Sequence, residues 1–274
     1  MDDLAALRLQ IEWGADEALE DAPVDRLAGA GGSVKPLSPA RPSAFDATAS
    51  AQRGAVGEAG PPAAPPATVS PAERALQVAS AAATLEELRA AIAAFDGCAL
   101  RDTASNLVFA EGDPAAALLV VGDPPGAAED RSGTPFAGPA GAYLDRMLGS
   151  ISLARGDLLL TPLIPWRPPG DRPPSPAELT ICAPFLHRLI ALAAPRRLLV
   201  MGPLAARALL PPAASRRRPR GSWMDAVIPG TARTVPVLPT FSPAELLRSP
   251  KDRRAAWSDL RLLRRTLDAD AASG

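Results

Sequence analysis

The segment from Leu118 to Gly141 constrains the fold of this chain more than any other part of its sequence. It begins with an apolar run that ends at Gly122, continues through a loop rich in glycine and proline, and finishes in an amphipathic helix. The loop places Asp123 directly after the apolar run and carries one aromatic residue, Phe136. A strand that ends in a loop of small residues is where an α/β protein usually binds its ligand. We therefore expect a ligand site at this strand end.

Apolar runs and amphipathic stretches alternate through the rest of the folded region. A helix is predicted first, over 70–95, with Ser70 as its cap, Pro71 at its first position and Glu73 at its third. The alternation after it predicts an α/β fold with a parallel sheet and helices on both of its faces. The predicted strands are Leu118–Gly122, Asp157–Ile164, Arg197–Gly202 and Val235–Phe241, and the predicted helices are Ala140–Ile151, Pro176–Ala193, Pro203–Leu210 and Pro250–Leu267.

The sequence ahead of this region divides into two parts. Residues 1–20 predict one short amphipathic helix, which would either bind a protein partner or pack on the domain. Residues 21–69 are dominated by proline, alanine, glycine and serine, a composition that cannot bury a core and predicts a disordered linker. The folded domain is then expected over 70–268, with a flexible tail over 269–274.

Composition excludes several classes of protein. No apolar run approaches the length of a membrane span, and the acidic N-terminal sequence lacks the basic start of a secretory signal. We therefore expect a cytoplasmic protein that does not enter a membrane. Two cysteines, Cys98 and Cys182, do not make a disulfide framework. The net charge is −6 over residues 1–95 and +6 over 96–268, which is a weak indication of a polyanionic partner.

Six motifs, in this order, resemble the bacterial family 4 uracil-DNA glycosylases, which are iron–sulfur proteins of the uracil-DNA glycosylase superfamily. Together they span the chain from about residue 95 to residue 267, and their shared order makes the resemblance strong. The motifs are VFAEGDPAA (108–116), GDPPGAAEDRSGTPFAGPAGAYLDRML (122–148), RPPGDRPPSPAEL (167–179), MGPLAARALL (201–210), RGSW (220–223) and LPTFSPAELLRSP (238–250).

The resemblance implies a three-layer αβα sandwich with a central four-stranded parallel sheet, and hydrolysis of the N-glycosidic bond of a uracil flipped out of DNA. A base inside a duplex is out of reach, so it must leave the stack. The pocket then needs an aromatic ring to stack on the base and a side-chain amide to read its edge. It also needs an acid to orient water, and a donor, usually histidine, to stabilise charge on the leaving base.

Some of these requirements have matching residues in the chain. Phe136 falls on the family's stacking aromatic, and Gly122 begins the loop motif beside it, so we assign both to base binding. The alternative for Phe136 is a core residue under the loop. Asp123 stands where the family has its acid, one methylene shorter than the usual glutamate. It is either that acid or a loop carboxylate that caps a backbone N–H, and the sequence leaves both open.

Two further positions depart from the family: Pro162, which we assign to base binding, and Ser242, which we assign with Asp123 to catalysis. Pro162 stands where the family has the asparagine that reads the base, and a proline has no side-chain donor or acceptor. Loss of such a reader costs discrimination of order 10⁴-fold. Ser242 stands where the family has histidine; its hydroxyl can donate a hydrogen bond but carries no charge. The only histidine, His187, lies in a predicted helix and cannot replace it.

The cluster-ligand positions depart as well. They read Phe95, Cys98, Trp166 and Cys182, and a [4Fe–4S] cluster needs four ligands. We therefore expect no cofactor and no metal, with the two aromatic residues filling the vacated volume.

The positions that contact DNA in the family have counterparts here. Pro243, Leu247 and Arg248 match the loop that the family presses against DNA, so we assign them to DNA binding. Arg216, Arg217, Arg218 and Arg220 are either phosphate contacts or a solvated basic loop.

Two functions remain open on the sequence. The first is a glycosylase that acts weakly on uracil or acts on another deaminated base, in single-stranded DNA or damaged duplex, through Asp123 and Phe136. The second is a degenerate member of the superfamily that keeps a DNA-binding or protein-binding role without the chemistry.

Overall fold

The computed structural model describes residues 69–211 and 220–273. Residues 1–68 lie outside these ranges. They include the predicted helix over 1–20, with its predicted protein partner, and the predicted linker up to residue 68. Arg216, Arg217 and Arg218 lie outside these ranges as well. The roles assigned to all of these segments remain predictions.

A twisted sheet forms the centre of the domain, with strands β1 (Glu111–Gly112), β2 (Leu118–Gly122), β3 (Leu159–Pro162), β4 (Arg197–Met201), β5 (Met224–Ala226) and β6 (Val235–Thr240). The strand order is β1-β3-β2-β4-β6-β5. The four inner strands are parallel, as predicted, whereas β1 and β5 pair antiparallel with β3 and β6. The predicted four-stranded sheet is thus the centre of a six-stranded one. The sequence did not predict the two edge strands, because they are too short to produce a periodic signal.

Helices cover both faces of the sheet and confirm the three-layer architecture. The helices are α1 (Pro71–Ala81), α2 (Leu85–Ala94), α3 (Leu100–Thr103), α4 (Ala127–Ser132), α5 (Gly138–Gly149), α6 (Pro176–Ala193), α7 (Pro203–Leu209), α8 (Pro243–Arg248) and α9 (Arg253–Ser273). Alternate residues of β2 point to opposite faces: Leu119 joins the core under α1, α2 and α6, and Val120 joins the core under α5 and α9.

The helix predicted over 70–95 is wrong as a single element, because the chain forms two helices there. The capping box of Ser70 and Glu73 starts α1, as predicted. Thr84 then starts α2, since its side chain accepts a hydrogen bond from the backbone N–H of Glu87 at 3.1 Å. A second cap of this kind ends one helix and begins the next without a glycine or proline between them.

The predicted tail from residue 269 is helical up to residue 273, where α9 ends. The guanidinium of Arg197 on β4 donates to the carboxylate of Asp270 over 2.6 and 2.7 Å. This ion pair holds the last turns of α9 against the sheet, so the helix continues beyond the end of its apolar pattern.

By length and composition alone, one described helix, α6, is apolar enough to cross a membrane. Its apolar character has another explanation in this fold. Cys182, Phe185, Leu186, Leu189 and Ile190 are buried in the core, where α6 packs against α1 and α2.

Candidate functional site

The carboxyl ends of the four parallel strands lie along one edge of the sheet, and most of the predicted site residues follow them. Gly122 at the end of β2 is paired in register with Pro162 at the end of β3. On the other side, Gly122 is paired with Met201, which ends β4. Ser242 follows the end of β6 by two residues. The topology therefore brings the base-binding and catalytic candidates to a common edge.

Asp123 is held against the start of α7. Its Oδ1 accepts hydrogen bonds from the backbone N–H groups of Leu204 at 3.0 Å and Ala205 at 2.9 Å. Gly202, with φ +114°, makes room for this contact, because a Cβ there would lie 2.2–2.6 Å from the carboxylate atoms. Asp123 thus caps backbone N–H groups, one of the two roles that the sequence left open. Gly202 is a partner that the sequence analysis missed, and the MGP motif after β4 was its only signal.

Burial raises the pKa of Asp123 to about 6. The hydrogen bond from Ala205 opposes this rise, the nearby carboxylate of Glu245 adds to it, and the bond from Leu204 and the charge of Arg207 oppose it. A carboxyl group with a pKa near the working pH is suited to exchange a proton. The same environment therefore gives Asp123 both a structural contact and a pKa suited to proton exchange.

Phe136 lies against the end of β2. A Cβ on Gly122 would approach the Phe136 ring to 2.6 Å, so the glycine is what allows the ring to lie on the backbone there. The ring is largely buried, with 9% of the residue exposed, and belongs to the core under α5 and α9. Its backbone has φ +52°, a left-handed conformation that costs about 1–3 kcal/mol for a residue other than glycine. Surrounding contacts must hold it in this conformation.

Arg155 supplies those contacts and was missed by the sequence analysis. Its Nη2 donates to the carbonyl oxygens of Pro135 at 2.5 Å and Phe136 at 3.2 Å. The guanidinium also pairs with Glu111 at 3.1 Å and Asp145 at 3.0 Å. One arginine thereby joins β1, α5 and the loop that carries the ring. No local pattern signals it, because its partners are 10 to 44 residues away.

No described amide side chain replaces the missing base reader. Pro162 is buried and offers no polar side-chain atom. The only asparagine in the chain, Asn106, donates its Nδ2 hydrogens to the carbonyl oxygens of Asp130 at 2.8 Å and Arg131 at 3.2 Å. Gln77, the one described glutamine, is exposed on α1. His187 lies on α6, where burial lowers its pKa.

Ser242 is the N-cap of α8. Its Oγ accepts the backbone N–H of Glu245 at 3.2 Å, and its own N–H donates to the Glu245 carboxylate at 3.0 Å. With Pro243 at the first position, these contacts turn the segment predicted as a DNA-contacting loop into a helix. Pro243 is buried in its first turn, whereas Leu247 and Arg248 are exposed at its far end. The exposure that DNA binding requires is therefore limited to the last two.

The cluster-ligand positions are filled by packing. Phe95 meets Phe185 edge to face, with ring centroids 5.2 Å apart, and Trp166 is buried in the same core. The neighbouring thiol of Cys182 lowers the pKa of Cys98 to about 7, and the Cys98 thiol together with burial raises the pKa of Cys182. Among the described residues, no three His, Cys, Asp or Glu side chains are grouped to hold a metal ion. These residues do not fit a [4Fe–4S] cluster, which needs four ligands.

Two residues of the RGSW motif, Arg220 and Trp223, have structural partners. Arg220 pairs with the buried Asp259 at 3.0 Å, and its guanidinium lies 5.2 Å from the centre of the Phe241 ring. Trp223 donates its indole N–H to Thr266 at 3.0 Å. Both side chains therefore contribute contacts within the domain.

The Asp123 environment predicts a pH-dependent stability. A carboxyl with a raised pKa in the fold stabilises the protein only while protonated, and this contribution is lost as pH rises from about 4 to above 6. Asp123→Asn escapes that loss, so its free energy of unfolding relative to wild type should increase by roughly 1–3 kcal/mol between pH 4 and pH 7. Urea denaturation at each pH measures this difference.

Glu178→Gln is the control of opposite sign. A hydrogen bond from Arg172 lowers the pKa of Glu178 to about 2, so its ionised form stabilises the fold above pH 4. That variant should lose stability relative to wild type as pH rises from about 2 to neutrality. If the difference in free energy of unfolding between Asp123→Asn and wild type stays constant with pH, the raised pKa assigned to the buried Asp123 is wrong.

Comparisons with known proteins agree with this geometry. The family model of the uracil DNA glycosylase superfamily matches residues 109–261. The chain is similar to the type-4 uracil-DNA glycosylase of Pyrobaculum aerophilum, at 34% identity over 178 residues that cover 64% of this chain and 91% of the relative. It is also similar to that of Archaeoglobus fulgidus, at 32% identity over 168 residues that cover 60% and 83%. The chain therefore belongs to the uracil-DNA glycosylase superfamily and is family 4-like.

Proposed function

We propose that this protein hydrolyses the N-glycosidic bond of a flipped-out uracil or other deaminated base in DNA, slowly or with an altered base preference, as a repair enzyme. The observation that carries this proposal is that Asp123 follows Gly122 and the Phe136 ring lies against Gly122, both at the carboxyl end of β2. The acid and the stacking ring are two of the four groups that the family's pocket uses.

The two groups have separate parts in the reaction. The bond between the sugar C1′ and the base nitrogen breaks, and its electron pair leaves with the base. A water oxygen bonds to C1′, and the ionised Asp123 orients this water and accepts the proton that it loses. The negative carboxylate also stabilises the positive charge that develops on the sugar. Phe136 holds the base out of the stack.

The departures from the family explain why the reaction would be slow or altered. Pro162 cannot read the edge of uracil, and no described amide takes over, so selection between deaminated bases is weak. Ser242 gives the departing base at most a neutral hydrogen bond, which contributes roughly 0.5–1.5 kcal/mol against about 1.5–3 kcal/mol for a charged donor. We also propose that the chain works without an iron–sulfur cluster, since two of the four ligand positions are buried aromatic residues.

A second function has its own supporting observation. The Asp123 carboxylate and the Ser242 hydroxyl each accept backbone N–H groups at a helix start, so both candidate catalytic residues also have a structural role. A protein that kept these residues only for the fold would bind DNA through Leu247 and Arg248 and excise nothing.

Excision from single-stranded oligonucleotides that carry uracil, hypoxanthine or xanthine separates the two functions. We expect wild type to release at least one of these bases, and Asp123→Asn to lower the rate by about 10²-fold or more, since a neutral amide cannot accept the proton. Asp123→Asn keeps an oxygen for the N–H groups of Leu204 and Ala205, so its fold and DNA binding serve as internal controls. No release of any base by wild type would contradict the glycosylase proposal.

Ser242→His tests the cause of slow excision. A histidine at this position can carry charge to the leaving base, so excision should increase about tenfold, the difference between a charged and a neutral hydrogen bond. Ser70→His is the matched control, because Ser70 has the same capping box with Glu73 at the start of α1. An equal change in both variants, or slower excision in Ser242→His alone, would show that the serine does not limit the reaction.

A further inference from the structure

A groove of about 350 Å³ lies between α5, α8 and the first turns of α9. None of its lining residues is one of the predicted site residues. The side chains that matter for its chemistry are Tyr143, Arg146, Met147, Leu246, Arg253 and Trp257.

Two arginines in the groove are organised by one ring. The guanidinium of Arg146 lies 5.2 Å from the centre of the Tyr143 ring, and that of Arg253 lies 5.6 Å from it. Arg253 also donates its Nε hydrogen to the carbonyl oxygen of Leu246 at 3.2 Å. Neither guanidinium forms an ion pair with any carboxylate in the described part of the chain. The groove therefore presents two fixed positive charges that the fold itself does not neutralise.

Trp257 adds an exposed aromatic surface to these charges. It is 42% exposed, and it is the one aromatic residue among the exposed large apolar side chains of the described residues. Leu247, which follows the groove residue Leu246 on α8, is a second exposed apolar side chain at 38%. Exposed apolar side chains that gather beside polar ones mark binding surfaces. A tryptophan is the side chain best suited to stack on a planar ligand.

We propose that this groove binds the unpaired DNA strand next to the flipped nucleotide, with a base stacked on Trp257 and phosphates paired with Arg146 and Arg253. Single strands are bound by aromatic platforms that lie beside a cationic track, which is the combination found here. The groove is continuous with α8, whose exposed Leu247 and Arg248 are the predicted DNA contacts. The choice of DNA as ligand rests on the proposed function, whereas the charge and stacking chemistry do not.

The test is binding of a fluorescein-labelled single strand of about 15 nucleotides without any deaminated base, long enough to span one binding site, measured by anisotropy at several salt concentrations. Trp257→Ala should weaken binding about tenfold, and Trp257→Phe should restore most of it, since a phenyl ring still stacks. Arg146→Ala should lower the slope of log K against log salt by about 0.7, the value for one phosphate contact on a single strand.

Matched controls lie on α1 and α2, which pack on the opposite face of the sheet. Leu76→Ala removes an exposed apolar side chain of α1, and Arg89→Ala removes an exposed arginine of α2. Both should leave affinity and salt slope unchanged. If Trp257→Ala and Arg146→Ala behave like these controls, the groove proposal is wrong.

The result is independent of excision, because the probe carries no substrate base. Normal binding by Asp123→Asn together with weak binding by Trp257→Ala would support the groove even if no base is ever released. Loss of excision in Asp123→Asn without any effect of the groove variants would overturn the groove alone. A polyglutamate peptide with the same net charge as the DNA strand serves as a competitor. If it displaces the strand, the groove is assigned to an acidic protein and DNA is overturned as its ligand.

Discussion

The contact between the Asp123 carboxylate and the start of α7 is the interaction on which the site depends. Two backbone N–H groups, of Leu204 and Ala205, fix the carboxylate, and Gly202 leaves the space for it. This contact joins the loop after β2 to the start of α7 after β4, at the carboxyl ends of two neighbouring central strands. It also explains the raised pKa, since the group that reaches α7 must give up most of its water.

The Phe136 loop is fixed from the other side by charges that come from distant segments. Arg155 forms ion pairs with Glu111 and Asp145 and also donates to the carbonyl oxygens of Pro135 and Phe136. The left-handed backbone at Phe136 is thus maintained by a network and not by a glycine. The Asp123 carboxylate and the Phe136 ring are therefore both held in place before a substrate binds. The proposed reaction, which has few catalytic groups, relies on such preorganisation.

Periodicity was enough to predict the parallel strands and the order of the layers, because a strand buried on both faces is a continuous apolar run bounded by loops. It failed at β1 and β5, which are two and three residues long, and at Thr84, where a cap divides one helical pattern into two. The motifs located Asp123, Phe136 and Ser242. They left the capping role of Asp123 open, and the capping box of Ser242 with Glu245 was missed although its spacing is local. They could not reveal which N–H groups Asp123 caps, or that Arg155 holds the loop, because those contacts depend on residues brought together by the topology.

The chain combines the family fold with departures at several positions that the resemblance assigns to the site. Its cluster positions hold Phe95 and Trp166 in the core, its base reader is replaced by Pro162, and its one asparagine is engaged with the carbonyl oxygens of residues 130 and 131. The groups that the proposed function uses are the Asp123 carboxylate, the Phe136 ring and the neutral hydroxyl of Ser242. Activity of the proposed enzyme therefore depends on the protonation state of that carboxylate.

The most direct measurement of this claim is the single-turnover excision rate between about pH 4 and pH 8, a range that brackets the pKa of the proposed base, on whichever deaminated base is released. Because Asp123 has a pKa of about 6 and must be ionised to accept a proton, the rate should rise about tenfold per pH unit below 6 and level off above it. A rate that shows no inflection near pH 6, or an inflection that persists in Asp123→Asn, would contradict this role of Asp123.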